Sequence, residues 1–199
     1  TFSLAGDGTN SVDGPLKFSI KAANLSVPGG SGLSIASGEV DLPALNVRTG
    51  AGRTEFTTEG SVRLTGVAGQ PAQAGAEGGA SFSASDVQTE ARGLRLALAG
   101  GGTDLAGAVN VTASALQLEA PQAGAPAPLK VAADRAALAL ANLALKTGSG
   151  QSSVDASGTV DIHELSAELP AAGEKPAAEA KAGQLHVDLR EIAARVAEA

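Results

Sequence analysis

The chain has 199 residues, a net charge of −7, four Phe, and no Cys, Met, Trp or Tyr. Its 14 Lys and Arg are scattered, so there is no clustered basic surface for nucleic acid and little attraction to an anionic membrane. The absence of Cys excludes a disulfide framework and thiol chemistry.

Ala supplies 42 of the hydrophobic residues, against 44 Leu, Val, Ile and Phe together. Those 44 lie just above the ~20% level below which chains stay disordered. The 26 Gly are roughly twice the usual ~7% share. Such a composition favours many thin strands over a thick core. No apolar run reaches the ~20 residues that a spanning helix needs. A chain that lacks an initial Met and opens in a strand, Phe2-Ser3-Leu4, reads as a processed or excised piece of a longer protein.

In the first third, "GDGTNSVDG" (6–14) reads as a turn. Strands follow at Leu25-Ser26-Val27, Leu33 to Leu42 and Leu45-Asn46-Val47, with "PGGSG" (28–32) as a turn between the first two. A short motif, Gly-x-Val-x-aliphatic, occurs at Gly38-Val40-Leu42, Gly60-Val62-Leu64, Gly107-Val109-Val111 and Gly158-Val160-Ile162. Strand side chains alternate between faces, so each copy puts two aliphatics on one face and a polar residue on the other. That is the pattern of an antiparallel strand wet on one side.

The stretch 94–121 ("LRLALAGGGTDLAGAVNVTASALQLEAP") is echoed 49 residues on at 143–170 ("LALKTGSGQSSVDASGTVDIHELSAELP"), a spacing typical of internal repeats. Each unit predicts an alternating strand, a Gly/Ser turn, the motif strand and a third short strand. Summed over the chain, this predicts a meander of ten to fourteen strands.

Pro/Ala/Gly-rich stretches at 68–80, 120–128 and 170–183 read as loops or insertions. Segment 131–146 mixes leucine spacings of two and three and is assigned as strand by analogy with Leu94 to Leu98. At the end, Leu185-His186-Val187-Asp188-Leu189 alternates as a strand. Leu189, Ile192 and Val196 then keep helical spacing, which predicts a short amphipathic helix over 189–199.

The expected fold is therefore all-β: an extended, curved antiparallel sheet, groove-like, with a short C-terminal helix. Its divisions are strand repeats over 1–67, an insertion at 68–80, repeats over 81–169 interrupted by the 120–128 loop, a linker at 170–184, and the terminal strand and helix at 185–199.

Chemistry is sparse. His163 and His186 sit in alternating strands on the wet face, without the paired spacing of metal ligands. "GGGTDLAG" (100–107) lacks the Gly-Lys-Ser/Thr ending of a phosphate loop, and no Gly-x-Ser-x-Gly elbow occurs. No catalytic residue, metal or cofactor is expected.

One aliphatic face must be covered by something, because exposed patches beyond a few hundred Å² drive association. The expected lining is Val40, Leu42, Val62, Leu64, Leu96, Leu98, Val109, Val111, Val160 and Ile162. The leucine-rich strands followed by Gly-x-Val strands, in "GLRLALAGGGTDLAGAVNVTASALQLEA" and "ANLALKTGSGQSSVDASGTVDIHELSAEL", resemble the AsmA/TamB-like bacterial envelope proteins. "QLHVDLREIAARVAE" resembles that family's strand-then-helix units. The resemblance is one of texture, closer over 90–199 than over 1–67.

It implies a curved apolar β-groove that binds or conducts lipid acyl chains between membranes and supports outer-membrane maintenance. It also implies a periplasmic location, with membrane attachment only through the rest of a longer parent chain. The residues themselves leave a second reading open: a structural or adhesive repeat module, a β-solenoid or sandwich, from a large exported surface protein.

Overall fold

A computed structural model describes residues 2–4, 9–27, 31–70, 79–122, 125–148, 150–171 and 176–197. Among them lie a short strand β1 (Phe2–Leu4) and eight long ones: β2 (Asn10–Val27), β3 (Ser31–Gly50), β4 (Arg53–Gln70), β5 (Ser81–Ala99), β6 (Gly102–Ala120), β7 (Leu129–Gly148), β8 (Gln151–Leu169) and β9 (Ala178–Ala197). They form one antiparallel sheet in sequence order, open at both edges and curled. Every contact between elements joins strands adjacent in sequence, so no second layer covers either face of the described residues. The accessible surface is 12682 Å² for 19.3 kDa, well above the ~8,500 Å² of a compact monomer of that mass.

The long strands have 18–20 residues each, where ten to fourteen shorter ones were expected. What reads as separate strands is joined through irregularities that keep the ladder going. One row of register shifts crosses the sheet at every long pairing, between Gly14/Leu16, Asp41/Ala44, Thr58/Gly60, Arg92/Arg95, Gly107/Val109, Leu140/Asn142 and Ala156/Gly158. An extra residue in one strand of a pair bends it and increases its twist, and repetition across the sheet accounts for the curl.

Three motif glycines lie on this row for a steric reason. A Cβ at Gly60 would overlap the carbonyl oxygen of Asp41, one at Gly158 that of Ala139, and one at Gly107 would sit 2.9 Å from Leu94 Cα. Gly38 lies elsewhere, against the side chain of Leu64.

A second row of interruptions lies nearer the long-loop end. Ala22, Gly66, Ala115 and Glu164, in β2, β4, β6 and β8, adopt φ of 50°, 57°, 48° and 52°. In all eight long strands the aliphatic phase steps by three rather than two here, as from Leu64 to Val67 and from Ile162 to Leu165. The left-handed residues take up the odd position. Of the four buried aliphatic side chains among the described residues, Val67, Ala84 and Ala133 line this crease.

The two ends of the sheet differ. At one, β3–β4 and β5–β6 are joined by two-residue turns, Ala51-Gly52 and Gly100-Gly101, with positive φ throughout. This is the type I′ geometry that matches strand twist. Gly150 closes the β7–β8 hairpin with φ 72°; Gly52, Gly101 and Gly150 fall 49 residues apart. The other end carries the longer Pro-rich connections. Most of the expected 68–80 insertion and parts of 120–128 and 170–183 lie outside the described residues, as do residues 6–8 of the stretch read as a turn.

Two expectations are corrected at the C-terminus. β9 begins at Ala178, inside the stretch read as a linker. No helix forms over 189–197, the described part of that segment: β9 runs through Ala197 and pairs with β8 along its length. The step of three from Leu189 to Ile192 is a bulge, with Gly158 opposite Leu189 and Ala156 opposite Ile192. A bulged strand and a helix share that spacing, and the unpaired edge of β8 captures the segment as strand.

Candidate functional site

The register aligns the aliphatic positions of successive strands into rows that run across the sheet. One row is Phe18, Val40, Val62, Thr89, Val111, Leu138, Val160 and Val187, each opposite the next. A second, nearer the tight turns, runs through Val12, Val47, Phe56, Leu96, Leu105, Leu145, Val154 and Ala194. In the even-numbered strands the two rows are joined by steps of two, as in Phe56, Thr58, Gly60, Val62, so they share a face. The odd-numbered strands carry an extra residue between them, absorbed by the bulges. From the turns to the crease, no position on this face is charged.

All ten expected lining residues fall on it. Val40, Val62, Val111 and Val160 belong to the first row, with Leu42, Leu64, Val109 and Ile162 one step to either side, and Leu96 and Leu98 lie in and beside the second. Sequence reasoning missed Phe18, Phe56, Leu105, Leu138, Leu140 and Val187, whose alternation was visible but whose partners were not.

Four depressions of the described surface lie near the turns, bulges and loop-end edge, and a fifth, of about 340 Å³, lies at mid-sheet among Gln88, Glu90, Asn110 and Arg135 of the polar face, with Val111 the one of the ten that borders it. What the face offers is a broad surface.

The opposite face is polar. Lys17 Nζ donates to Asp41 at 2.8 Å, Arg63 to Asp86 at 2.8 Å and Arg95 to Glu55 at 2.6 Å. The hydrogen bond to Asp41 raises the Lys17 ammonium above its ordinary range, and Asp86 does the same for Arg63. Exposed pairs of this kind add little to stability because solvent screens them; their main effect is to keep one face in water.

His163 is exposed here. His186 lies between two carboxylates, with Nδ1 2.5 Å from Asp161 and Nε2 3.3 Å from Asp188. The hydrogen bond to Asp161 is the largest cause of its raised pKa, followed by the charge of Asp161 and then Asp188. Among the described residues no group of three or more His, Cys, Asp or Glu is placed to hold a metal ion, and no helix is long and apolar enough to cross a membrane.

No protein-family model, curated protein or solved structure matches this chain.

Proposed function

We propose that the chain is a non-catalytic lipid-binding unit whose aliphatic face takes up acyl chains, in a bacterial envelope protein that moves lipid between membranes. The observation that carries this reading is an uncharged face crossing all eight long strands with no layer over it among the described residues. At ~3.3 Å per residue the strands are about 60 Å long, ample for an extended acyl chain. An acyl chain that buries about eight methylenes there gains roughly 6 kcal/mol. Valine, leucine and alanine leave a shallow lining without a unique pocket, which suits a ligand held by area and free to move along it. The textural resemblance to AsmA/TamB-like proteins supports the periplasmic setting and attachment through a longer chain.

The test is native mass spectrometry of the purified protein with lipid extraction. Phospholipid or fatty acid should co-purify, be lost in Val109→Asp, and persist in Asn110→Asp. A bare, folded protein that takes up no acyl probe would overturn the reading.

A further inference from the structure

We propose that the depression at mid-sheet on the polar face binds a short acidic saccharide, its carboxylate on Arg135 and its hydroxyls on Gln88, Glu90, Asn110 and Thr112. This goes beyond the lipid reading, uses the opposite face and does not depend on it. The strands that build the site, β5, β6 and β7, are each paired on both sides, so the site owes nothing to where the chain begins or ends.

The depression has a volume of about 340 Å³, within the range of small-ligand sites. It exists because of two alanines. Ala137 and Ala139 of β7 lie opposite Thr112 and Asn110 of β6 on one side and Asp161 and Thr159 of β8 on the other. Their methyl groups stop short of these taller neighbours and leave a low apolar floor. Beyond Thr112 and Asn110 the same rows continue into Gln88 and Glu90 of β5. All four polar residues are half-buried. Neither Asn110 nor Thr112 spends its side chain on another described residue. Gln88 Nε2 donates to Glu90 Oε1 at 3.2 Å, which leaves the Gln88 carbonyl oxygen as a free acceptor. The second Glu90 oxygen is approached by Arg92 at 3.8 Å, a distance at which it can still take a ligand's hydroxyl.

Arg135 closes the depression at the crease end. It is exposed, and no acidic side chain pairs with it among the described residues. Its cross-strand partners are Ser114 and His163. Carboxylates near it in the register are already engaged: Asp86, on the same row, by Arg63 at 2.8 Å, and Asp161, one row away, by His186 at 2.5 Å. A free guanidinium fork therefore stands beside the alanine floor, and such a fork takes a planar carboxylate in two parallel hydrogen bonds. Glu90, across the floor, balances its charge. One negative charge on a ligand is welcome there, while the second charge of a phosphate meets repulsion. None of the four Phe of the chain lines the site, so a nucleotide base has no ring to stack on. What fits is a monoanion with a hydroxylated body and an apolar underside, a sugar acid whose C–H face rests on the alanine methyls. Asn110 and Ser114, in the Glu90 and Arg135 rows, are ~13 Å apart along β6, room for more than one ring.

An NMR titration of isotope-labelled protein with digalacturonate, a two-ring sugar acid, tests this. The amides of Asn110, Thr112, Ala137 and Ala139 should shift saturably. Lactose, a neutral two-ring comparator, should bind roughly tenfold more weakly or worse, and Arg135→Gln should weaken digalacturonate by the same factor. Ala137→Leu fills the floor but keeps the guanidinium, and it should abolish the shifts. Both variants lie on the wet face and should keep an unchanged far-UV spectrum. No saturable shift at these amides overturns the proposal. So does an equal response to inorganic phosphate, which would make Arg135 an ordinary surface cation. Binding that survives Ala137→Leu overturns it too, since the depression would then be unused. A triglutamate peptide that binds as tightly as digalacturonate also overturns it, in favour of an acidic protein partner.

Discussion

Gly158 of β8 approaches the carbonyl oxygen of Ala139 on β7 so closely that a Cβ at 158 would overlap it. The neighbour is backbone within a continuous ladder and cannot rotate away. Gly158→Ala should therefore cost about 2–3 kcal/mol, the range for forced overpacking. At Gly38 the nearest atom is the end of the Leu64 side chain, 2.9 Å away, and Gly38→Ala should cost about 1 kcal/mol. Urea denaturation of the two variants measures the difference. Equal costs would mean that the motif glycine is not set by the bulge row.

Val109 and Asn110 are neighbours with opposite surroundings. Val109 lies between Ala91 and Leu140, and Asn110 between Glu90 and Ala139. Val109→Asp places a charge in the aliphatic row, where desolvation costs ~2 kcal/mol or more. Asn110→Asp stays on the wet face and should change stability by no more than about 0.5 kcal/mol. Chemical denaturation read by circular dichroism distinguishes them, and greater sensitivity at 110 would reverse the assigned faces.

Ala115 holds the left-handed conformation that Gly66 holds two strands away, with φ of 48° and 57°. Ala115→Gly should relieve part of the ~1–2 kcal/mol that a side chain costs in that region and raise the melting temperature. Gly66→Ala should lower it, since its Cβ would also fall 2.8 Å from that of Ala36. Thermal melts of both variants test the crease.

His186 carries the pH dependence of the β8–β9 edge. Its pKa is raised in the folded protein by Asp161 and Asp188. The stabilisation is therefore full below the unfolded value, ~6.5, and is lost as pH rises through the folded value. Asp161→Asn should lower the titration midpoint of the His186 ring protons in NMR and flatten the dependence. An unchanged midpoint would mean that the pair does not form in solution.

Much of the aliphatic face was legible in the chain. The ten expected positions all fall on one face because alternation is a property of the strand itself. The 49-residue echo reappears in the hairpin turns at Gly52, Gly101 and Gly150 because each holds a positive φ of 72–78°, which glycine adopts at least cost. The 189–199 segment was not legible: a step of three between apolar residues is written identically by a helical turn and by a bulged strand. The long strands were not legible either, since the bulge at Gly107 and the crease at Ala115 look like strand ends until a neighbour carries the ladder through them.

The sequence by itself determined that this is a β protein with one aliphatic and one polar side, built from a repeated unit with glycine at its tight points. Those properties follow from side-chain chemistry and from φ preferences within a few residues. The tertiary structure alone decided that eight long strands make a single open sheet, that the bulges align into one row, and that no other described residue covers the aliphatic face. Each of these depends on which backbone groups, far apart in sequence, hydrogen-bond to one another, and local spacing carries no record of that choice.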